Sequence, residues 1–239
     1  MVTIFKKQTD SKIERMKIFL TLLSISLLST VFGQARQKEN PTEFLPKGFF
    51  VYETIRGDLN RDGIEDCILI IKGTDKNKII TDKYSGQLDR NRRGIIILFK
   101  KNNHYELVLK NQDCFSSENE DGGVYFAPEL SIEIKNGNLT ASYGHGRYGS
   151  WSYKFKYKNG DFELIGYDAN SNRGPVAQYQ ISINFLTKKK LRRDNLNKDA
   201  DGDEEYEDKF METWKKINIK NVIKLSNIKD FDELDMTKY

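Results

Sequence analysis

The sequence predicts a mainly β fold: an antiparallel meander sheet built from hairpins, sandwich-like or open-barrel-like, with few or no helices after the first 35 residues. Three observations support this fold class. Apolar and polar residues alternate over long stretches, two Asn-Gly pairs separate such stretches, and Phe and Tyr make up 26 of the 239 residues. Alternation with period two is typical of half-buried strands, and Asn-Gly is a preferred hairpin turn. We therefore expect one β-rich domain over residues 49–239.

The clearest element is a hairpin over residues 151–167 that turns at Asn159 and Gly160. Counting outward from the turn places apolar residues opposite each other on one face and opposite charges on the other face. Both kinds of cross-strand pair stabilise a sheet, so both support this register. The predicted pairs are Tyr157–Phe162, Phe155–Leu164, Lys158–Asp161 and Lys156–Glu163.

Further hairpins follow from the same signals. Asn136 and Gly137 form a second turn, which pairs Ile134 with Leu139 and Ile132 with Ala141. An apolar run between residues 94 and 109 passes through KKNNH, which predicts a third hairpin whose first strand is buried on both faces. Residues 179–186 alternate as a strand. The stripe Tyr206, Phe210, Trp214 and Ile217 fits a strand or a short helix, and we favour a long hairpin across the polar loop 194–204.

An export signal is predicted near the start of the chain. Met16 and Lys17 precede an apolar stretch, Ile18–Phe32, and small or polar residues follow it at 33–35. A basic start, an apolar core and a small-residue exit are typical of a secretory signal peptide, and the stretch is short for a membrane span. We therefore interpret residues 1–35 as an N-terminal extension with a cleaved signal peptide. The expected location is periplasmic or secreted, and a membrane would be involved only through an uncleaved signal.

The charge balance argues against a nucleic-acid partner. The chain carries a net charge of +4, but residues 36–239 hold 34 basic and 33 acidic groups. The basic runs at 188–193 and 90–93 are expected to be solvated faces or turns, because a nucleic-acid site needs a basic face or stripe. Residues 36–48 contain two prolines and no periodic pattern, so they are predicted as a linker.

The motif that carries chemistry is GDLNRDGIEDCILII at residues 57–71. Its oxygen-bearing residues have the spacing of a calcium loop, with a glycine at the sixth position where the chain turns sharply. A helix–loop–helix calcium site would need Glu at the twelfth position, where Leu69 stands inside an apolar strand. We therefore predict a Ca²⁺ site outside that fold, with no catalytic residues, against the alternative of a metal-free turn. The predicted ligands are Asp58, Asn60, Asp62, Ile64 through its carbonyl, and Asp66.

This string resembles the FG-GAP or VCBS type of calcium loop, in which a DxDxDGxxD segment leads directly into a β-strand. The resemblance covers about 15 residues, occurs once, and places Asn60 where an acidic ligand stands in that family. Together with the WSYKFKYKNGDFELIGY hairpin, the chain looks like secreted bacterial β-rich proteins of uncharacterised activity. That resemblance implies export and architecture. A second acidic stretch, residues 195–205, has its glycine at the wrong offset and is expected to be a solvated loop.

Two features leave alternatives open. Cys67 and Cys114 can form one disulfide in an oxidising compartment or remain two buried thiols. His145 lies in YGHGRYGSW at residues 143–151, where a hydrolase would pair it with Ser150 and a distant carboxylate. A binding surface or inward packing would also explain the aromatic residues of this segment. The members of this set are Tyr143, His145, Arg147, Tyr148 and Trp151.

We expect a binding or interaction module whose partner is a protein or a glycan. The alternatives are an extracytoplasmic hydrolase of cell-wall or glycan material and an immunity-type protein. A solvent-exposed aromatic patch would favour the first function. A concave pocket that holds His145 beside a carboxylate would favour the hydrolase.

Overall fold

The computed structural model describes residues 37–120, 127–200 and 207–239. The predicted signal peptide over residues 1–35, Tyr206 and part of the acidic stretch 195–205 lie outside the described residues. Within the described ranges the chain forms antiparallel sheets and short 3₁₀ segments, with no α-helix and no closed barrel. The predicted mainly β, antiparallel fold class is confirmed.

The strands are numbered in chain order. They are β1 (Gln37–Lys38), β2 (Phe49–Gly57), β3 (Asp66–Gly73), β4 (Ile79–Asp82), β5 (Gly86–Asp89), β6 (Arg93–Lys101), β7 (His104–Phe115), β8 (Glu129–Lys135), β9 (Asn138–Gly144), β10 (Gly149–Lys158), β11 (Asp161–Arg173), β12 (Val176–Asn184), β13 (Lys189–Asn195) and β14 (Phe210–Lys216). The 3₁₀ segments are Pro41–Phe44, Lys76–Lys78, Gly146–Tyr148 and Leu225–Asn227.

The strands form two large sheets and a separate hairpin. The first sheet has five strands in the order β1-β7-β6-β3-β2, and the second has seven in the order β14-β13-β12-β11-β10-β9-β8. The hairpin pairs β4 with β5. Every strand of the second sheet pairs with its neighbour in sequence, so that sheet is the expected meander.

The predicted hairpin registers are confirmed. The four pairs counted from the Asn159–Gly160 turn, and both pairs counted from the Asn136–Gly137 turn, occur as predicted. All four turn residues have positive φ, from 52° to 78°. A type I′ turn requires positive φ at both central positions, which Asn and Gly adopt at low cost. The third hairpin, β6–β7, turns at residues 102–103.

The two sheets pack face to face as a sandwich. Their facing sides share one apolar core, in which Phe99 of the first sheet contacts Tyr157 of the second edge-to-face at 4.8 Å. A second, smaller cluster covers the other face of the first sheet, with Phe44 and Tyr105 over Cys67 and Leu69. Strands β3 and β6 are therefore buried on both faces, which explains their unbroken apolar runs.

A segment without regular strands completes the core. Residues 217–239 follow β14, and Leu225, Ile228, Phe231 and Met236 are buried in the core between the sheets. The side-chain amide of Asn111 donates hydrogen bonds to the carbonyls of Leu225 and Ile228, at 2.9 and 2.7 Å. These bonds fix the segment to the first sheet.

The structure changes two sequence-based expectations and confirms a third. Residues 37–45 belong to the fold instead of a linker: β1 pairs with β7, and Phe44 is buried. Residues 188–193 were expected as a turn or solvated face, but most of them form strand β13. The stripe around Phe210 and Trp214 is strand β14, which pairs with β13 as the favoured long hairpin.

Candidate metal centre

The predicted calcium loop connects β2 to β3 at one end of the first sheet. It also contacts the second sheet, because the Arg61 guanidinium donates hydrogen bonds from Nε and Nη2 to the carbonyl of Asn136 in the β8–β9 turn. Gly57 lies so close to β8 that a Cβ there would stand 2.9 Å from the Ile134 side chain. The loop is therefore held at the junction of the two sheets.

The first loop carboxylate is directed over the loop backbone. Asp58 accepts hydrogen bonds through Oδ1 from the amides of Arg61 and Asp62, and through Oδ2 from the amide of Gly63 at 3.0 Å. Arg61 and Gly63 adopt positive φ, 64° and 84°, which lets the chain curl around this side chain. Asp58 therefore organises the loop.

Asn60 and Asp62 continue the same pattern. Asn60 Oδ1 accepts from the amide of Asp62 at 2.8 Å, and Asp62 Oδ1 accepts from the amide of Ile64 at 2.9 Å. The Asn60 side-chain amide also donates to Asp62 Oδ2 at 2.9 Å. Alternate residues thus bring their oxygens to one small turn, as the spacing predicts.

Asp66 has a different environment. Asp66 is fully buried. Its two carboxylate oxygens accept hydrogen bonds from the backbone amides of Leu59 (2.8 Å) and Lys100 (3.0 Å). Burial raises the pKa of this carboxyl, the two amide bonds lower it, and the negative charges of Asp62 and Asp58 raise it further. Asp66 therefore anchors the loop to β6 and interacts electrostatically with the carboxylates of Asp58 and Asp62.

The donor chemistry of the loop fits a hard cation. Three carboxylates, an amide oxygen and the carbonyl of Ile64 provide only oxygen, the ligand type that Ca²⁺ takes. Asp58 Oδ2 and both Asp62 oxygens accept one hydrogen bond each and so retain a lone pair for a cation, whereas Asp58 Oδ1 already accepts two. In the described ranges, however, no three Asp, Glu, His or Cys side chains already converge as a metal-binding group. Asp58, Asn60 and Asp62 would therefore have to turn inward to surround an ion.

The segment around His145 divides between core and cleft. Tyr143 is buried and its ring stacks on Trp151 at 5.5 Å, so these two aromatic residues pack inward. His145, Arg147 and Tyr148 line a cleft of about 390 Å³ together with Ala127 and Glu129. His145 Nε2 is buried in this cleft and has no hydrogen-bond partner.

A Ser–His pair is not assembled there. The Ser150 hydroxyl donates to Asn170 Oδ1 on the outer face of the second sheet, at 2.5 Å. Among the described residues, no hydrogen bond or ion pair joins His145 to Glu129 or to Ser150. The cleft thus places an imidazole and a carboxylate near each other without a hydrogen-bonded pair.

Cys67 and Cys114 are both free and buried. Cys67 belongs to the cluster on the outer side of the first sheet, and Cys114 to the core between the sheets. Cys67 lies opposite Leu98, which lies opposite Leu107, and Cys114 is seven residues further along β7. That offset is about 23 Å at ~3.3 Å per residue, far beyond the reach of a disulfide.

A partly buried ionic cluster centred on Lys72 was not predicted from the sequence. Lys72 is 2% exposed at its side chain, and its ammonium group lies 3.1 Å from Asp89 and forms a second ion pair with Glu118. Arg93 pairs with Lys72 across β3 and β6, and its guanidinium is also near Glu118. The sequence signal that could have indicated this cluster is Lys72 itself, a single lysine directly after the apolar run of β3.

The described residues contain no helix that is long and apolar enough to cross a membrane. Comparison with known proteins found no matching family model, no matching curated protein and no matching solved structure. The function is therefore inferred from the geometry of the chain's own residues.

Proposed function

We propose that this chain is an exported, periplasmic or secreted β domain that binds Ca²⁺ in the loop of residues 58–66 and acts as a binding or interaction module. The observation that carries the proposal is the loop itself, where Asp58, Asn60 and Asp62 all accept hydrogen bonds from the backbone of one turn that the buried Asp66 anchors. The negative charges of Asp58 and Asp62 raise the pKa of the Asp66 carboxyl, so the three carboxylates repel one another when ionised. A bound cation would relieve that repulsion and stiffen the junction between the sheets.

The distribution of basic residues supports a partner other than nucleic acid. Arg193 is paired with Glu212 at 2.7 Å, Arg192 with Asp194 at 2.7 Å, and Arg92 with Asp230 at 2.8 Å. Successive residues of a strand point to opposite faces, so the run in β13 does not form one basic surface. These three guanidinium groups are therefore not free to contact consecutive phosphates.

Calcium is expected to stabilise the protein by about 1.4–2.7 kcal/mol at 10 mM, because extracellular sites bind with a Kd of about 10⁻⁴–10⁻³ M and binding favours the native state. For a chain of this size the melting temperature should rise by about 3–10 °C. Thermal unfolding in EDTA, in calcium and in magnesium measures the effect. Magnesium should do much less, because its small octahedral shell fits such a loop poorly.

Variants of the loop make this test specific. Asp58→Ala and Asp62→Ala should remove the calcium response, and Asn60→Asp should increase it by adding a ligand charge. Asp82→Ala is the matched control, since Asp82 likewise accepts amide hydrogen bonds in a turn but lies at the β4–β5 hairpin. Equal wild-type melting temperatures in EDTA and in calcium would reduce the motif to a metal-free turn.

A second candidate function is an extracytoplasmic hydrolase of cell-wall or glycan material. The observation that favours it is the cleft that holds His145 with Glu129. If the cleft is catalytic, the purified protein should release reducing ends from a polysaccharide, and His145→Ala and Glu129→Gln should each abolish the release. If the protein binds a polysaccharide but does not cleave it, the hydrolase is excluded and the binding module is retained.

A further inference from the structure

The outer face of the second sheet, on the side opposite the core, is lined by short polar side chains in register. Cross-strand pairing places Ser152, Asp168 and Ser182 in one row across β10, β11 and β12. The adjacent row is formed by Ser150, Asn170 and Gln180 on the same strands. We call these six residues the polar trough. They line a cavity of about 470 Å³.

The trough offers hydrogen-bonding groups with one carboxylate, Asp168, and no unpaired cation among its lining residues. Asp168 accepts a hydrogen bond from the Ser182 hydroxyl at 2.6 Å. Arg193 also lines the cavity and is ion-paired with Glu212 on β14. The remaining polar groups of the lining are hydroxyls and side-chain amides, which both donate and accept hydrogen bonds. A ligand for this surface should therefore be neutral and rich in groups, such as hydroxyls, that both donate and accept hydrogen bonds.

An aromatic side chain extends the trough at one end. Leu191, which lines the cavity, lies opposite Ser182 on one side and opposite Trp214 on the other. Trp214 is 61% exposed, on an edge strand of the sheet. From β10 to β14 the rows cross five strands, about 19 Å at ~4.8 Å per strand. An exposed indole gives a flat apolar surface with a polar tip, on which the C–H face of a sugar ring can stack.

We propose that the polar trough and Trp214 bind a neutral polysaccharide chain, which lies across the strands with one sugar ring on the indole. The proposal rests on the proposed function as a binding module and names its partner. A protein interface would be expected to have an apolar centre, whereas seven of the ten residues that line this cavity are polar. Arg193 is the sole cation among the residues that line the cavity, and its ion pair with Glu212 leaves no free cation there for a nucleic acid or an acidic glycan.

The test is depletion of the purified full chain by insoluble cellulose, chitin and mannan, followed by calorimetric titration with a soluble oligosaccharide of the polymer that binds. Trp214→Ala should weaken binding by about tenfold, and Gln180→Ala should weaken it by severalfold, while circular dichroism stays unchanged. Tyr84→Ala is the matched control: this aromatic residue is 88% exposed on the separate β4–β5 hairpin, and its loss should leave binding unchanged.

Three results would overturn the proposal. They are no depletion by any of the neutral polymers, binding that survives both Trp214→Ala and Gln180→Ala, and binding only to polygalacturonate or DNA that disappears with salt. The calcium shift is measured on the same samples. If calcium raises the melting temperature but no polymer depletes the protein, only the polysaccharide proposal is overturned. If a polymer depletes the protein but calcium does not raise the melting temperature, only the proposed metal site is overturned.

Discussion

Replacement of Phe231 by alanine is expected to lower the free energy of unfolding by about 3–5 kcal/mol, the range for truncation of a buried aromatic side chain. Phe231 is 1% exposed and belongs to neither sheet. Its ring stacks on Phe115 of the first sheet at 4.9 Å and meets Tyr153 and Phe155 of the second sheet at 5.1 and 6.1 Å. Truncation would leave a cavity between the sheets.

Urea unfolding followed by fluorescence measures this loss. The control is Tyr84→Ala, which removes a largely exposed aromatic side chain and should change the free energy of unfolding by no more than about 0.5 kcal/mol. A loss below 1 kcal/mol for Phe231→Ala would mean that residues 217–239 do not form part of the core.

Asp66→Ala is expected to lower the free energy of unfolding by about 2–5 kcal/mol when measured in EDTA. The substitution leaves the amides of Leu59 and Lys100 without their carboxylate acceptor, and each buried unsatisfied donor costs about 1–3 kcal/mol. Asp66→Asn should be intermediate, because the side-chain amide provides only one acceptor oxygen for two donors.

The matched control for this change is Glu65→Ala, which removes the carboxylate of the adjacent, exposed residue. Its effect should remain within about 0.5 kcal/mol. Measurement in EDTA separates the loop anchor from any bound calcium. If Asp66→Ala unfolds at the same urea concentration as Glu65→Ala, the anchor adds no net stability.

Local signals predicted the central hairpins because their turn chemistry and side-chain pairing agree. At Asn159–Gly160 the positive φ preference, the aromatic face and the opposite charges all specify one register, and the structure has that register. The turn of residues 58–66, the candidate metal loop, could be located for a similar reason. Its polar residues lie within nine positions of one another, so spacing alone brings them to one turn.

Elements that depend on distant partners were missed. Strand β13 is rich in Lys and Arg and resembles a solvated turn until β12 and β14 pair with it on both sides. Residues 217–239 have no strand period, and their burial depends on the two sheets between which they lie. The polar trough requires the register of successive strand pairs, including a bulge near Ser171, which no local pattern specifies.

The position of residues 217–239 in the core also determines the order in which this protein can fold. The segment is synthesised after every strand of both sheets, and its hydrogen bonds to Asn111 span 114 and 117 residues of chain. The hairpins close short loops and can form early, whereas contacts across such separations bear the largest closure entropy. Until the segment docks, the rings that Phe231 covers, those of Phe115, Tyr153 and Phe155, lack that partner and stay more exposed to water. A nascent chain ending before residue 217 is therefore at its most aggregation-prone, and its final folding step is slow.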